Sequence, residues 1–430
     1  MIERYAEALA AAEPARLVGR VRRVAGAVVE CEGFRAPVGS ICAIGSLRAE
    51  VVGFRDDVAV AIALGETAGV RAGDAVVSAA SAMRVPVGDG LIGRVIDAEG
   101  RPLDGGPAVR GRRAPLSRPA PAAMERVRAT EALPTGVRAI DGLLSCARGQ
   151  RVGIFSGSGV GKTTLLAMIA RGTAADVVVL ALVGERGREV RDFVERGLGN
   201  DGLARAVVVA ETADRPPVLR VKAAFAATAI AEDFRDRGKH VLLLVDSLTR
   251  VAYAQREVGL AAGEPPASRG YPPSVYALLP QLLERAGAIA SGSITGFYSV
   301  LAEGDDPNDP VADAARSVLD GHVWLSRELG NRGHFPPIDV LGSVSRLSRD
   351  VVDAEHAAAA DRIRGLLAAH AGARDLLSVG LYAKGSDPEV DRAVRHLPAV
   401  ERHLRQRAEE GSPWVESRAA LLALAEEVGA

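Results

Sequence analysis

RVGIFSGSGVGKTTLLAMIAR, residues 151–171, passes from an apolar run through a glycine cluster into a periodic segment. The run of Val152, Ile154 and Phe155 is too short for a buried helix. Gly157, Gly159 and Gly161 follow, then Lys162-Thr163-Thr164, then Leu165, Leu166, Met168 and Ile169 at helical spacing. This order predicts strand, tight loop and helix. The glycines let the stretch Ser156, Gly157, Ser158, Gly159, Val160, Gly161 turn its N–H groups into one concavity, and the helix behind adds the positive end of its dipole. Such a loop can cradle phosphate. Lys162 would reach the outer phosphates and the Thr163 hydroxyl would hold Mg2+, with Thr164 beside it. Ser156 stands where the full pattern has a first glycine, a departure that leaves the Gly-Lys-Thr core intact. Lysine occurs only at 162, 222, 239 and 384, so a chance Gly-Lys-Thr is improbable. The alternative, a glycine-rich turn with no ligand, leaves the flanking strand and helix patterns unexplained.

Outward from this stretch, apolar strands at Val152–Phe155, Val177–Val183, Ala206–Ala210, Val241–Val245 and Ser293–Val300 alternate with helical patterns such as Glu189–Leu198 and Val218–Arg237. The alternation predicts an α/β domain whose mostly parallel sheet is covered on both faces. Ligands of such sheets bind beyond the carboxyl ends of the strands. Glu185 falls there, directly after the second strand in Val183-Gly184-Glu185-Arg186. Its carboxylate could orient a water in line with the terminal phosphate, with Arg186 to hold it or touch phosphate. Alone, Gly-Glu-Arg is a common loop, and its place after a strand is what raises the functional reading. Asp246 closes HVLLLVD, and an acid ending a buried strand needs a cation, which Mg2+ on Thr163 would supply. Capping the next helix is the alternative. Arg346, in IDVLGSVSRLSRD, follows a strand-like segment and could extend away from its own site to complete a neighbour's. Spacing alone favours an ordinary surface arginine.

The chain is 48% hydrophobic and 25% charged with a formal net charge of −1 over 430 residues, the make-up of a soluble globular protein of two or three domains. Without an overall basic field, no nucleic acid partner is expected. Cys31, Cys42 and Cys146 lack metal-ligand spacing and are expected as free, buried thiols in a reducing compartment. The N-terminal MIERYAEALAAAEPAR has early acids and no signal-peptide core, and no apolar run approaches a bilayer span, so a cytoplasmic protein is expected. Residues 1–15 read as an amphipathic segment for docking a partner or for local packing. Residues 16–87 alternate Val, Ile and Ala with glycine turns, which predicts a small antiparallel β-barrel. Its aromatics, Phe34 and Phe54, are too few to stack bases, so it reads as an assembly module. Residues 88–349 hold a Pro-rich crossing (Pro115, Pro119, Pro121) and the nucleotide domain. Residues 350–430 carry helical patterns at Asp353–His370, Pro388–His403 and Ser417–Val428, a helical C-terminal domain.

SGSGVGKTT, VGERGREVRDF, LLLVDSLTRVAYAQREVG, GEPPASRGYPPSVYALLPQLLERAG, GSITGFYSVLAEGDDPNDPVADAARSVLDGHVWLSR and FPPIDVLGSVSR together resemble the ATPases of bacterial type III protein export systems, the flagellar export ATPase most closely. Beyond that subgroup the chain is similar to the α and β subunits of rotary ATP synthases. The resemblance implies an α/β, RecA-like, mostly parallel sheet domain with an N-terminal β-barrel and a C-terminal helical domain, assembled as a ring of six. It implies a Mg2+-dependent ATP hydrolase coupled to protein export. By residue match, Lys162 binds phosphates, Thr163 binds Mg2+, Glu185 is the catalytic carboxylate with Arg186 beside it, Asp246 is the strand-end acid, and Arg346 is an arginine finger given in trans. Phe335 falls where the family places an aromatic against adenine, with a core turn as the alternative.

Glu185 and Arg346 occur in the same chain, so each copy can use its own carboxylate and finish its neighbour's site. A homohexamer closed by head-to-tail contacts is the economical arrangement. The resemblance further implies a regulator or stator protein at the N-terminal segment, a coiled-coil stalk protein in the pore, a membrane export gate, and export substrates with their chaperones. It places the protein peripherally at the cytoplasmic face of the export apparatus. Gly263–Pro273 reads either as a loop toward the pore or as an ordinary ordered loop. A virulence type III secretion ATPase is the nearest alternative. An RNA-translocating RecA-type hexamer would need the basic, aromatic surface the barrel lacks, and a non-catalytic ring subunit would have no use for Glu185.

Overall fold

The computed structural model describes residues 18–80, 82–302 and 309–429, so the amphipathic segment expected at 1–15 lies outside the described residues. Six strands, β1 (Val18–Ala25), β2 (Val28–Glu32), β3 (Ile41–Ile44), β4 (Leu47–Arg55), β5 (Val58–Ala63) and β6 (Ala75–Ala80), close into a barrel in the order β1-β2-β5-β4-β3-β6. Closure leaves no open edge. The inward residues are small, with Ala49, Ala59, Ala61 and Ala63 beside Val21, Val29, Cys31 and Cys42, which suits so narrow an interior. Phe34 joins this core while Phe54 is half exposed, so one aromatic remains on the barrel surface. All three cysteines are free and buried, as the sequence predicts.

The chain then forms β7 (Arg84–Pro86), β8 (Val95–Ile96), β9 (Arg113–Pro115), β10 (Arg151–Ser156), β11 (Val177–Glu185), β12 (Ala206–Thr212), β13 (His240–Asp246), β14 (Gly287–Ile289), β15 (Gly292–Leu301), β16 (Gly321–Leu325) and β17 (Ile338–Ser345). β7 and β9 pair as a small ribbon. The rest build one sheet in the order β17-β16-β10-β15-β13-β11-β12-β8, with β14 added beside β15. The path from β16 to β8 is parallel, and β17 closes one side antiparallel.

All nine residues of β11 are buried, and the pleat explains why. Val177, Val179, Ala181 and Val183 pack on the side of helix Pro217–Asp236, while Val178, Leu180 and Leu182 pack on the side of helix Lys162–Gly172. Alternate residues feed two separate cores, so the strand reads as an unbroken apolar run rather than an alternating one. Each fully buried Val or Leu contributes about 1.5–3 kcal/mol. The pattern predicted as one helix over Glu189–Leu198 is α-helical only over Gly187–Asp192 and continues as a π-helical turn over Phe193–Leu198. After Arg346 the chain is helical, with the long elements Ala354–Ser378, Pro388–Leu404 and Trp414–Gly429 packed on one another and on the helix Arg138–Leu143. Among the described residues no helix is long and apolar enough to cross a membrane.

The parallel order sets the carboxyl ends of β10, β11, β13 and β15 at one rim. Ser156 pairs in register with Leu301, and Leu182 with Asp246.

Candidate active site

The loop after β10 needs glycine at two places. Gly159 (φ 76°) and Gly161 (φ 107°) lie in the left-handed region, where a side chain would cost about 1–2 kcal/mol. Gly161 is the N-cap of helix Lys162–Gly172 and offers no side-chain cap, and the first turn has no acid. The leading N–H groups therefore remain open to an anion. Ser156, standing where the pattern has glycine, is fully buried with its Oγ unpaired. Val160 is buried, and Arg327 donates to Ser158 O at 3.1 Å from outside the loop.

A cleft of about 820 Å3 opens above the rim, lined by Gly157, Lys162, Thr163, Glu185, Asp246 and Arg250 among others. Lys162 Nζ lies 2.6 Å from Asp246 Oδ1. Asp246 is 2% exposed, and Ser299 Oγ on the intervening strand β15 donates to the same oxygen at 2.8 Å. The carboxylate thus takes Lys162 and Ser299 rather than capping the next helix, whose N-cap is Ser247. Glu185 is also buried, and Arg250 holds it at 2.8 Å. Burial foremost, then a hydrogen bond shared with Glu189 and the nearby Asp246 charge, push the Glu185 carboxyl up to about 7, against the pull of Arg250 and Lys162. A carboxyl poised there can exchange a proton near neutral pH.

Mg2+ takes few protein oxygens and keeps waters and phosphate oxygens in the rest of its shell. The exposed Thr163 hydroxyl and the buried Asp246 carboxylate, both lining this cleft, fit that demand. Among the described residues no cluster of three or more His, Cys, Asp or Glu offers a complete protein cage.

Three residues singled out from the sequence stand apart from the cleft lining. Arg186 points to solvent, its side chain 84% exposed and 4.0 Å from Glu189, so Arg250 rather than Arg186 holds Glu185. Phe335 is 52% exposed, and its carbonyl accepts the Gln406 N–H at 2.9 Å. Arg346, exposed at the end of β17, lines a separate depression of about 250 Å3 with Arg349, Asp361 and Arg364. Arg250 and Ser299 are the residues the sequence reading missed. Arg250 stands in the first turn of helix Leu248–Ala262, directly after the strand-end Asp246, and that place at the rim of the sheet is the signal that would have pointed to it. Ser299 carries no such signal, because only the order of strands brings it beside Asp246.

Residues 136–345 match the ATP synthase alpha/beta family nucleotide-binding domain, residues 21–79 the beta-barrel domain of that family, and residues 352–423 the T3SS EscN ATPase C-terminal domain. The chain is 51% identical over 414 residues to a flagellum-specific ATP synthase of Treponema pallidum, covering 95% of this chain and 93% of that protein. It is 48% identical over 415 residues to the flagellum-specific ATP synthase of Bacillus subtilis, covering 94% of each. It is 49% identical over 406 residues to the type 3 secretion system ATPase of Xanthomonas euvesicatoria, covering 93% of this chain and 92% of that protein. The assembled ATPase EscN of the enteropathogenic E. coli type III secretion system superposes with a TM-score of 0.91 at 42% identity, covering 95% of this chain and 100% of that one. EscN in complex with its central stalk EscO gives 0.88 at 41% identity with the same coverage. With likeness of this depth over nearly the whole length, in barrel, nucleotide domain and helical domain alike, the chain belongs to the ATP synthase α/β family of ATPases, in the branch of the flagellum-specific ATP synthases and the type III secretion ATPases.

Proposed function

We propose that this chain is the ATP hydrolase of a bacterial flagellar type III export apparatus, working as a ring of six identical copies that couples ATP turnover to the delivery, unfolding and export of protein substrates. The observation that carries the reading is the meeting of Lys162, Asp246 and Glu185 in one cleft while Arg346 opens on another surface. A site so divided is complete only where a second copy brings its own Arg346 to the first copy's cleft.

On ATP binding, Lys162 leaves Asp246 for the outer phosphates, and the N–H groups of Gly157 to Thr164 wrap the chain of oxygens. Thr163 and Asp246 would hold Mg2+, and the bound ion would supply neutralisation of the triphosphate's charge. Glu185 orients the attacking water and takes its proton, and Arg250 steadies Glu185. Phe335 and the neighbour's Arg346 contribute from the edge of the site: Phe335 against the base, and Arg346 against charge developing at the terminal phosphate. An arginine in that role is worth about 10^3 to 10^5 in rate.

The proposed setting is the cytoplasmic face of the membrane, with a regulator or stator protein at residues 1–15, a coiled-coil stalk protein in the pore facing Gly263–Pro273, the membrane export gate, and substrates with their chaperones. EscN, solved with a central stalk, supports the stalk partner. A virulence type III role is the second reading, favoured by the 49% identity to the Xanthomonas enzyme. Loss of motility on deletion of the gene separates the two. The decisive measurement for the enzyme is ATPase rate against protein concentration. The wild type should rise cooperatively and Arg346→Ala should stay low and flat. Full specific activity in a strict monomer would refute the ring.

A further inference from the structure

The cleft has two ends. Lys162, Glu185 and Asp246 line one, while Arg171, Gly197, Gly199, Ala408 and Glu409 line the other. Thr163, Ala167 and Arg171 all face the cleft at four-residue spacing, so one face of helix Lys162–Gly172 forms its floor. From Lys162 to Arg171 that floor runs roughly 13 Å at 1.5 Å per residue. A nucleoside triphosphate held by its phosphates at the loop and laid along the floor extends its sugar and base toward Ala408 and Glu409. These two residues come from outside the nucleotide domain, in the connection between helices Pro388–Leu404 and Trp414–Gly429.

A set of buried polar contacts fixes that connection. Gln406 is 4% exposed. Its amide nitrogen donates to Gly136 O at 2.7 Å and to Glu410 O at 2.8 Å, and its amide oxygen accepts the Arg138 N–H at 2.9 Å. Its own backbone N–H donates to Phe335 O at 2.9 Å. Arg171 donates to Ala408 O at 2.5 Å and to Gly197 O. Arg138 donates to His403 O at 2.9 Å and to Arg405 O at 2.6 Å. Gly136 and Gly172 close the circuit. A Cβ on Gly136 would stand 2.7 Å from Gly172 Cα, and one on Gly172 would stand 2.6 Å from Thr135 O. The acceptor of the Gln406 amide is thereby pinned to the end of the helix that carries Arg171.

We propose that Gln406 is a positioning residue: with Arg171 it clamps residues 405–410 against the nucleotide domain as the wall for the nucleotide's base, and so latches the C-terminal helices to an occupied cleft. This rests on the reading of the cleft as an ATP site. Glutamine is the side chain that can donate twice and accept once in this place. Glutamate lacks the N–H donors, and alanine leaves Gly136 O, Glu410 O and the Arg138 N–H unpaired.

The test compares MgATP with magnesium tripolyphosphate, which offers the phosphate chain without sugar or base, as a competitive inhibitor. Gln406→Ala should raise KM for ATP about tenfold with kcat within about twofold, and leave the inhibition constant of tripolyphosphate unchanged. Arg171→Lys, which keeps the charge but cannot span Ala408 O and Gly197 O together, should give the same split, and it carries the test should Gln406→Ala not fold. The Kd of a fluorescent ADP analogue should weaken by the same factor without turnover. Equal weakening of ATP and tripolyphosphate, or a fall in kcat at constant KM, overturns the clamp, as does an ATP KM unmoved by both substitutions. A wild type that neither binds nor hydrolyses ATP would instead sink the ATPase reading itself.

Discussion

Lys162 Nζ and Asp246 Oδ1 stand 2.6 Å apart at the rim of the sheet, each meeting the other's charge where the proposed reaction places phosphate and metal. The pair has to open for turnover, so its two halves should fail differently. Asp246→Asn removes the proposed Mg2+ ligand and frees Lys162. ATP hydrolysis should fall by about 10^2 or more, while metal-free ADP binds as tightly as in the wild type or tighter. Fluorescent nucleotide titrations with and without Mg2+ read this directly. Equal Mg2+ dependence of binding in mutant and wild type would remove Asp246 from the metal site.

The Glu185 carboxyl, pushed up to about 7, gives the reaction a pH signature. As the base it must be deprotonated, so kcat/KM for ATP should rise through about pH 7 and level off above it, since that ratio reports the free enzyme. Arg250 favours the charged form, so Arg250→Ala should move the acid limb upward. Glu189 shares a hydrogen bond that favours the protonated form, so Glu189→Ala should move it downward. An acid limb near 4.5 in the wild type would show that burial does not control this carboxyl.

Buried deep under the Pro-rich crossing, Arg285 and Glu232 form a two-pronged ion pair at 2.9 and 2.7 Å, with side chains 1% and 3% exposed. Arg285 also donates to Leu116 O at 2.7 Å, fastening the crossing to the nucleotide domain. Removing either partner leaves a buried charge unmatched. Arg285→Ala or Glu232→Ala should each destabilise by about 3–5 kcal/mol, and the paired change Arg285→Met with Glu232→Leu by much less. Urea unfolding of the four proteins tests it, and a Met–Leu protein no more stable than the single variants would overturn it.

Much of this was legible in the sequence because the responsible forces are local. The turn from β10 into its helix is written in three glycines and a lysine, and five of the nine sheet strands, β10, β11, β12, β13 and β15, in short apolar runs bounded by helical periodicity. A small barrel follows from alternating Val, Ile and Ala between glycine turns, though the number and order of its six strands do not. Strand order is another matter, since Ser299 reaches Asp246 only because β15 lies between β10 and β13, and sequence spacing carries no record of that. The π-helical turn at Phe193–Leu198 was likewise hidden, because its residues share the periodicity of an ordinary helix. Arg186 beside Glu185 in sequence invited a partnership that the strand-to-helix turn breaks, directing one side chain inward and the next to solvent. The Gln406 contacts join residues some 270 positions apart, between Gly136 and Gln406, beyond the reach of any local pattern.

The division of the site between copies yields a quantitative prediction. Glu185→Gln copies lack the carboxylate but keep Arg346, and Arg346→Ala copies lack the guanidinium but keep Glu185, so rings of either alone should be nearly inactive. In a ring closed by head-to-tail contacts, an active boundary needs an intact Glu185 on one side and an intact Arg346 on the other. Mixed in equal amounts and allowed to exchange subunits, the two inactive proteins should place an Arg346→Ala copy next to a Glu185→Gln copy in the productive order at about a quarter of boundaries, and recover about that share of wild-type activity. Strong cooperativity among boundaries would lower the figure but leave it well above either parent. ATPase rate against mixing ratio should trace a curve that peaks near equal amounts and is zero at both ends. A mixture no more active than its components would mean that each copy completes its own cleft, and the neighbour's arginine has no part in the reaction.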